Sequence, residues 1–393
     1  MKLNEKPAIP KSIWTLGFVS LLMDISSEMI HSLLPVFMVG SLGMSVMLVG
    51  LLDGIAEATT LIVKIFSGAL SDRLGKRKIL ATLGYGLSAL SKPLFALATN
   101  FPILAVARMG DRIGKGIRGA PRDALIADIT PPEIRGAAFG LRQSLDTIGA
   151  VGGPLIATGL MILWANDFRS IFWIAVIPAL ASLLLLMFGV QEPRTKIKKT
   201  TAFPLSRAQL NLLPRSYWTI VSIGGLFTLA RFSEAFLLLR AQQLNVSMSL
   251  VPLIMVAMNA VYALTAYPFG KLSDRVSPYT LLQYGLLVLI AADLCLASTN
   301  SLLGLACGII LWGIHMGMTQ GLLSSLISQF APTDLRGTAF GMFNLVSGIC
   351  LLLASFIAGA LWETLGAQAT FWAGVAIAII SLVAVGIFAR KHK

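Results

Sequence analysis

Asp24, Glu28 and His31 stand at i, i+4 and i+7, so a helix sets two carboxyls and an imidazole on one face. Such a group can take up and release a proton, because imidazole changes charge near neutral pH and adjacent acids share the proton with it. It can equally be a fixed partner for bases elsewhere in the chain. Asp53 and Glu57, at i and i+4, form a second acidic face suited to pairing or gating. The densest segment is RMGDRIGKGIRGAPRDALIAD at 108–128. At 3.6 residues per turn, Asp111, Lys115, Arg118 and Arg122 make one stripe flanked by Arg108 and Arg112, with Ala105, Ile113, Ile117, Ala120 and Ala124 opposite. Arg108, Arg112 and Lys115 suit an anion site or a relay; Arg118, Arg122 and Asp123 suit a salt-bridge lattice. Later in the chain come Arg231 and Glu234 at i, i+3, a lone His315, and Asn259, Tyr262 and Gln320.

These residues fall in stretches apolar enough to enter a bilayer, where an ionisable side chain costs roughly 2.5–3.5 kcal/mol and marks a functional candidate. A crossing helix needs about 20 predominantly apolar residues. The chain offers twelve such stretches, near 13–39, 44–70, 79–99, 102–125, 136–163, 169–190, 217–243, 249–271, 279–299, 302–328, 337–364 and 368–389. The one long connection, 191–216, carries Pro193, Pro204 and Pro214. It divides the chain into expected six-helix bundles at 1–190 and 217–393, joined by a linker.

An internal repeat supports that division. SGALSDRLG at 67–75 returns as FGKLSDRVS at 269–277, and PPEIRGAAFG at 131–140 returns as PTDLRGTAFG at 332–341. A parallel repeat of six spans around a site at membrane depth is an architecture of secondary transporters. Alternate connections hold Lys76, Arg77, Lys78, Arg135, Lys198, Lys199, Arg275 and Arg336, whereas the opposite ones hold Arg169 alone. The positive-inside rule therefore places both termini and the linker in the cytoplasm.

Composition closes off other classes. Of 393 residues, 56% are hydrophobic and 12% charged, against roughly 25% charged in a soluble domain; the mean hydropathy is +0.81. The net charge of +13 resembles that of a nucleic-acid binder, but most of it sits in the cytoplasmic connections, so it reports topology and no nucleic acid is expected as a partner. Cys295, Cys307 and Cys350 lie in apolar runs without metal-ligand spacing. No phosphate loop or catalytic motif is present, so neither an enzyme nor a bound cofactor or metal is expected. The apolar start runs to about Val39 without a cleavage site, and reads as a first span rather than a signal peptide.

Together these motifs resemble the major facilitator superfamily, over essentially the whole chain. GALSDRLGKRK at 68–78 is similar to its loop between the second and third spans, which implies gating by Gly68, Asp72 and Arg73. The second copy keeps Gly270, Asp274 and Arg275 but has Ser277 for the later glycine and no basic tail, implying a weaker latch; Asp53, Glu57 and Arg118 join the gating candidates. Gly140, Gly149, Gly153 and Pro154 in the fifth span resemble the antiporter signature, with Ala157 and Thr158 replacing its closing glycines. Arg108 matches the arginine of the fourth-span motif, although Arg112 stands where that motif has glycine.

The resemblance implies an all-α protein of twelve transmembrane helices in two pseudo-symmetric bundles, moving by alternating access. It implies coupling through Asp24, Glu28, His31 and Arg108, and a substrate cavity with Arg112, Lys115, Arg231, Glu234 and His315. The expected function is proton-coupled export of a small organic molecule, such as a drug-like compound, metabolite or siderophore-type chelate. Uptake of an anionic nutrient or chelate is the alternative, and a non-transporting sensor or scaffold is the rival of another class. The expected partners are a small-molecule substrate, protons and the lipid bilayer, with the chain acting as a monomer in the bacterial inner membrane.

Overall fold

The computed structural model describes residues 10–131, 134–192, 210–273, 275–319, 322–332 and 335–391. Asp274, Gln320, the side chain of Asp72 and most of the 191–216 connection lie outside the described residues. All regular structure within them is helical. Eleven helices are long and apolar enough to cross a membrane. The twelfth spanning helix is Phe101–Ile129, 29 residues long, whose Arg108, Asp111, Arg112, Lys115, Arg118, Arg122 and Asp123 make it less apolar than the other eleven. The twelve-span, all-α fold expected from the sequence is thus the fold observed.

The first span runs over Lys11–Ser41, its last turn, Phe37–Ser41, being π-helical. The next five are Val46–Leu74, Arg77–Leu97, Phe101–Ile129, Arg135–Leu163 and Phe168–Gly189. The second half follows with Pro252–Ser273, Pro278–Ser298, Leu302–Thr319 continued by Leu322–Phe330, Arg336–Leu365 and Ala367–Lys391, after a seventh span in two pieces. Side-chain caps set several starts. Asn100 accepts from the Ile103 amide at 3.2 Å, with Pro102 in the first turn where its missing N–H costs nothing. Asp167 accepts from the Ser170 hydroxyl at 2.5 Å and from the amides of Arg169 and Ser170, which holds its carboxyl below the usual range.

The sequence reads the seventh span as one helix, but the structure breaks it into Arg215–Ala230 and Ala235–Gln243. Ser233 explains the break. Its hydroxyl accepts from the Ala235 amide at 3.1 Å and donates to the Asp53 carboxylate, while its own amide donates to Ser355 Oγ at 3.3 Å. Side chains thereby satisfy backbone groups that the helical ladder releases, as a bilayer interior requires.

By contact the chain groups into two units, residues 1–31 with 62–203 and residues 32–61 with 204–393. In the first unit, Ile13, Leu16, Val19, Met23, Tyr85, Leu125, Ile126 and Leu186 form a buried core. In the same unit Leu83, Leu90, Leu163 and Phe188 are exposed, the face expected of helices solvated by lipid. Gly84 and Gly114 let the third and fourth spans touch backbone to backbone, since a Cβ on Gly84 would stand 2.7 Å from Gly114 O. In the second unit, Gly313 brings the tenth span against the eighth in the same way, 2.8 Å from Met258 O.

Candidate functional site

The helical face predicted for the first span exists, and it is seated on the small residues of the fifth. A Cβ on Gly149 would lie 2.9 Å from Asp24 Cβ and 3.0 Å from Leu21 O; one on Gly153 would lie 2.8 Å from both Glu28 Cβ and Ile25 O. Two of the antiporter-like glycines therefore make room for the two turns that carry the acids. Gly140 has nothing within 4 Å at that point, so it serves no such contact, while Pro154 is buried inside the helix. We expect Gly153→Val to separate these helices, cost about 1–3 kcal/mol by overpacking, and lower both the yield of folded protein and its transport. The equivalent change at Gly140 should leave yield unaltered. Size-exclusion profiles of the two purified variants make the comparison.

Glu28 and His31 do not stand alone. His31 Nδ1 lies 3.6 Å from Glu28 Oε1, and His31 Nε2 lies 3.4 Å from Asp111 Oδ2 on the fourth span. Lys92 Nζ, from the third span, donates to Asp111 Oδ1 at 2.8 Å and to Ser27 Oγ at 2.9 Å. The Arg112 guanidinium contacts both ring nitrogens of His31, 2.6 Å from Nδ1, and sits 3.9 Å from Asp111. Arg108, buried beside it, adds its charge at His31. The result is an unbroken series Glu28, His31, Asp111, Lys92, drawn from three helices. An imidazole bridging two carboxylates can accept a proton from one side and present it to the other.

A second cluster lies along the same unit. Arg122 donates to Ser20 Oγ at 2.8 Å and pairs with Asp123 at 3.1 Å, while Arg142 pairs with Asp146 at 2.8 Å and with Asp123 at 3.8 Å. Arg118 donates to Ser88 Oγ at 2.5 Å and lies over the Tyr85 ring at 4.9 Å. Asp24 faces the charges of Lys115, Arg118 and Arg122. Arg122 and Asp123 do form ion pairs, but with each other and with Arg142 of the fifth span rather than through first- and second-span acids; Arg118 packs on an aromatic face and a hydroxyl. Lys115 is exposed.

The loop between the second and third spans and the start of the third are anchored. Arg77 Nε pairs with Asp128 at 3.1 Å, the Lys78 amide donates to Glu192 at 2.9 Å, and Lys78 Nζ donates to Met187 O at 2.7 Å. Gly68 approaches Ala120 of the fourth span, and Arg73 and Arg275 are exposed. Ser277 stands in the second copy where the tail begins, and the bases that make these bonds have no counterpart there.

In the second unit, Arg231 and Glu234 form a half-buried pair at 3.6 Å within the break of the seventh span, and Asp53 meets Ser233 of the same break. His315 is fully buried, donates from Nδ1 to Gly285 O at 2.7 Å and stacks on Phe227 at 5.4 Å, so it is an interior histidine with one nitrogen committed. Sequence reasoning left Lys92 out of the site and used Asp111 only as part of a stripe. Lys92 carried its own signal as a lone base in the middle of an apolar span.

A family profile described as Major Facilitator Superfamily matches residues 16–355 and 235–393. An MFS-type transporter of Methanocaldococcus jannaschii, itself uncharacterized, is 34% identical over 379 residues, covering 95% of this chain and 94% of that protein. The quinolone resistance protein NorA of Staphylococcus aureus is 23% identical over 390 residues, 98% of this chain and 97% of its own. Among solved structures, a bacterial homolog of the human lysosomal transporter Spinster, inward-facing and occupied, superposes with a TM-score of 0.81 at 17% identity, covering 98% of each chain. The human organic anion transporter MFSD10 superposes with a TM-score of 0.68 at 19% identity, covering 97% of this chain and 100% of that one.

Proposed function

Since the chain belongs to the major facilitator superfamily and is a multi-pass membrane transporter, we propose that it exports a small organic molecule in exchange for protons. Two bundles, 1–190 and 217–393, would alternate access across a bacterial cytoplasmic membrane with both termini inside. One observation carries this reading: Gly149 and Gly153 of the antiporter-like stripe lie directly against Asp24 and Glu28. A shift of the fifth span relative to the first must displace the acids, so their proton occupancy and the packing of these helices are mechanically linked. The name of NorA, a resistance protein, supports export and a drug-like substrate. Arg108, Arg112, Lys115, Arg231 and Glu234 are the proposed substrate contacts, with His31 and Arg108 assisting the coupling acids. Gly68, Asp72, Arg73, Asp274 and Arg275 are the proposed cytoplasmic latch.

A second reading, uptake of an anionic nutrient or chelate, is favoured by the bases gathered around Asp111 and Asp24, which suit a carboxylate-bearing substrate. The direction of flux separates the two. Compounds identified by comparing metabolites inside and outside cells with and without the gene should accumulate in everted vesicles under an imposed proton gradient, and a protonophore should abolish that accumulation. Accumulation in right-side-out vesicles alone would establish uptake. Binding without flux in either orientation would mean a sensor.

A further inference from the structure

Asp293 takes no part in the site described above. It lies in the ninth span, Pro278–Ser298, is 0% exposed, and neither carboxyl oxygen has a hydrogen-bond partner or a salt bridge among the described residues. Two other polar atoms of the same unit, Trp312 Nε1 and His315 Nε2 on the tenth span, are buried and unbonded as well. A carboxylate taken out of water without a cation or donors is strongly disfavoured. The residue therefore needs a cation, and its surroundings decide which.

Those surroundings are apolar and tight. A Cβ added to Gly374 of the twelfth span would stand 3.2 Å from Asp293 Cγ and 3.1 Å from Phe232 Cε1, so the carboxyl and the aromatic ring both crowd the same point of that helix backbone. The Phe232 ring in turn meets Trp312 at 5.4 Å, Phe236 at 5.5 Å and Phe371 at 5.6 Å between centroids. A metal ion needs several oxygen or nitrogen ligands, and among the described residues no group of three His, Cys, Asp or Glu gathers to hold one, which leaves the proton as the simplest cation for this carboxyl.

Among the described residues no fixed base pairs with this carboxyl. The elements packed on the ninth span are the twelfth span and both pieces of the tenth. The tenth offers His315, whose Nδ1 is bonded to Gly285 O, and Cys307; Leu322–Phe330 has no titratable residue. The bases of the twelfth span, Arg390 and Lys391, lie about 24 Å along the helix from Gly374 at 1.5 Å per residue. The ninth span itself adds Tyr279, Tyr284 and Cys295, and the seventh adds Arg231 and Glu234, which pair with one another, and the buried Arg240, whose guanidinium is committed to Gln243 Oε1, Thr299 O and Asn300 Oδ1 beyond the end of the ninth span.

Phe232, which crowds Gly374 together with Asp293, is set in a stretch without regular helix. Phe232 belongs to the 231–234 break of the seventh span, where Ser233 is tied to Asp53 and Ser355 rather than to a helical ladder. A rearrangement of that break moves Phe232, and with it the cover of the carboxyl. Discontinuous spans at membrane depth are where transporters of this architecture build their ion sites.

We propose that Asp293 is a second proton-binding site, separate from the Asp24–Glu28 group, closed by Phe232 and opened when the 231–234 break rearranges. Its place in a transport cycle rests on the proton-coupled reading above, whereas its occupancy by a proton does not.

Dicyclohexylcarbodiimide tests the proposal, because a protonated carboxyl in apolar surroundings adds its O–H across one C=N bond to give an O-acylisourea, whose acyl group then migrates from oxygen to the neighbouring nitrogen to leave a stable N-acylurea with no group lost. The full chain in lipid nanodiscs is treated with the reagent over a range of pH, and modification is mapped by peptide mass spectrometry. Asp293 should be modified, and less so as the pH rises. Phe232→Ala should raise the rate severalfold, and Asp24→Asn should leave it unchanged. Absence of modification in both the parent and Phe232→Ala would overturn the proposal. A rate indifferent to pH or to Phe232→Ala would overturn it too. Infrared difference spectra give a second readout, in which a protonated-carboxyl C=O band present in the parent should be missing from Asp293→Asn. If Asp293 is modified as expected while everted vesicles show no gradient-driven accumulation, the exchange reading fails and the proton site stands.

Discussion

Lys92→Met should remove most of the folded protein from the membrane. Lys92 is fully buried and its ammonium lies 2.8 Å from an equally buried Asp111, with Ser27 taking a second hydrogen bond. Methionine matches the side chain in length and removes the charge, leaving the carboxylate with His31 at 3.4 Å and Arg112 at 3.9 Å. Breaking a buried pair by deleting one partner costs about 3–5 kcal/mol, a large part of the whole stability of a domain. The expected result is a sharp fall in membrane-inserted, monodisperse protein by fluorescence-detected size exclusion. Lys92→Met combined with Asp111→Leu removes both charges and should recover much of the yield, because two matched apolar groups leave nothing buried and unpaired. That double variant should still not transport, since His31 loses the acid on its second nitrogen. Normal yield from Lys92→Met alone would show that Arg112 suffices to hold Asp111.

Asp24→Asn should abolish gradient-driven accumulation while substrate exchange across the membrane persists. Asparagine keeps the shape that packs on Gly149 but cannot carry a proton, so folding is spared and coupling is lost. The charges of Lys115, Arg118 and Arg122 remain, so an anionic substrate would still be attracted. Glu28→Gln should act in the same direction more weakly, because His31 keeps Asp111 at 3.4 Å on its other nitrogen. Uptake into everted vesicles, measured with and without an imposed gradient, gives the comparison. Accumulation by Asp24→Asn at the parent level would move the coupling site elsewhere, Asp293 being the next candidate.

How much of this was legible in the residues varies from one feature to the next. The stripe of the fourth span was read correctly as one face, but exposure along it is uneven: Asp111 is 1% exposed and Arg118 4%, whereas Lys115 is exposed. Helical periodicity fixes direction around an axis and says nothing about what stands opposite. Arg118 was expected to meet an acid and meets Tyr85 and Ser88, because Gly84 and Gly114 bring the third span close enough to fill that space. The break of the seventh span escaped a reading tuned to glycine and proline. Its signal was Ser233, a residue that caps helices, placed two positions before Ala235.

The sequence by itself determined the number of spans, their limits to within a few residues, the all-α fold and the repeat that relates the halves. Those features are local, since a helix in lipid must satisfy its own backbone and clothe itself in apolar side chains over a fixed thickness. Only the tertiary structure decided which charges meet. Lys92 finds Asp111 and His31 lies between two acids because glycines set how closely particular helices approach, and a buried ion pair depends on a fraction of that distance. The same holds for Asp293, an ordinary acid in the sequence that close packing against Gly374 leaves buried and without a bonding partner among the described residues.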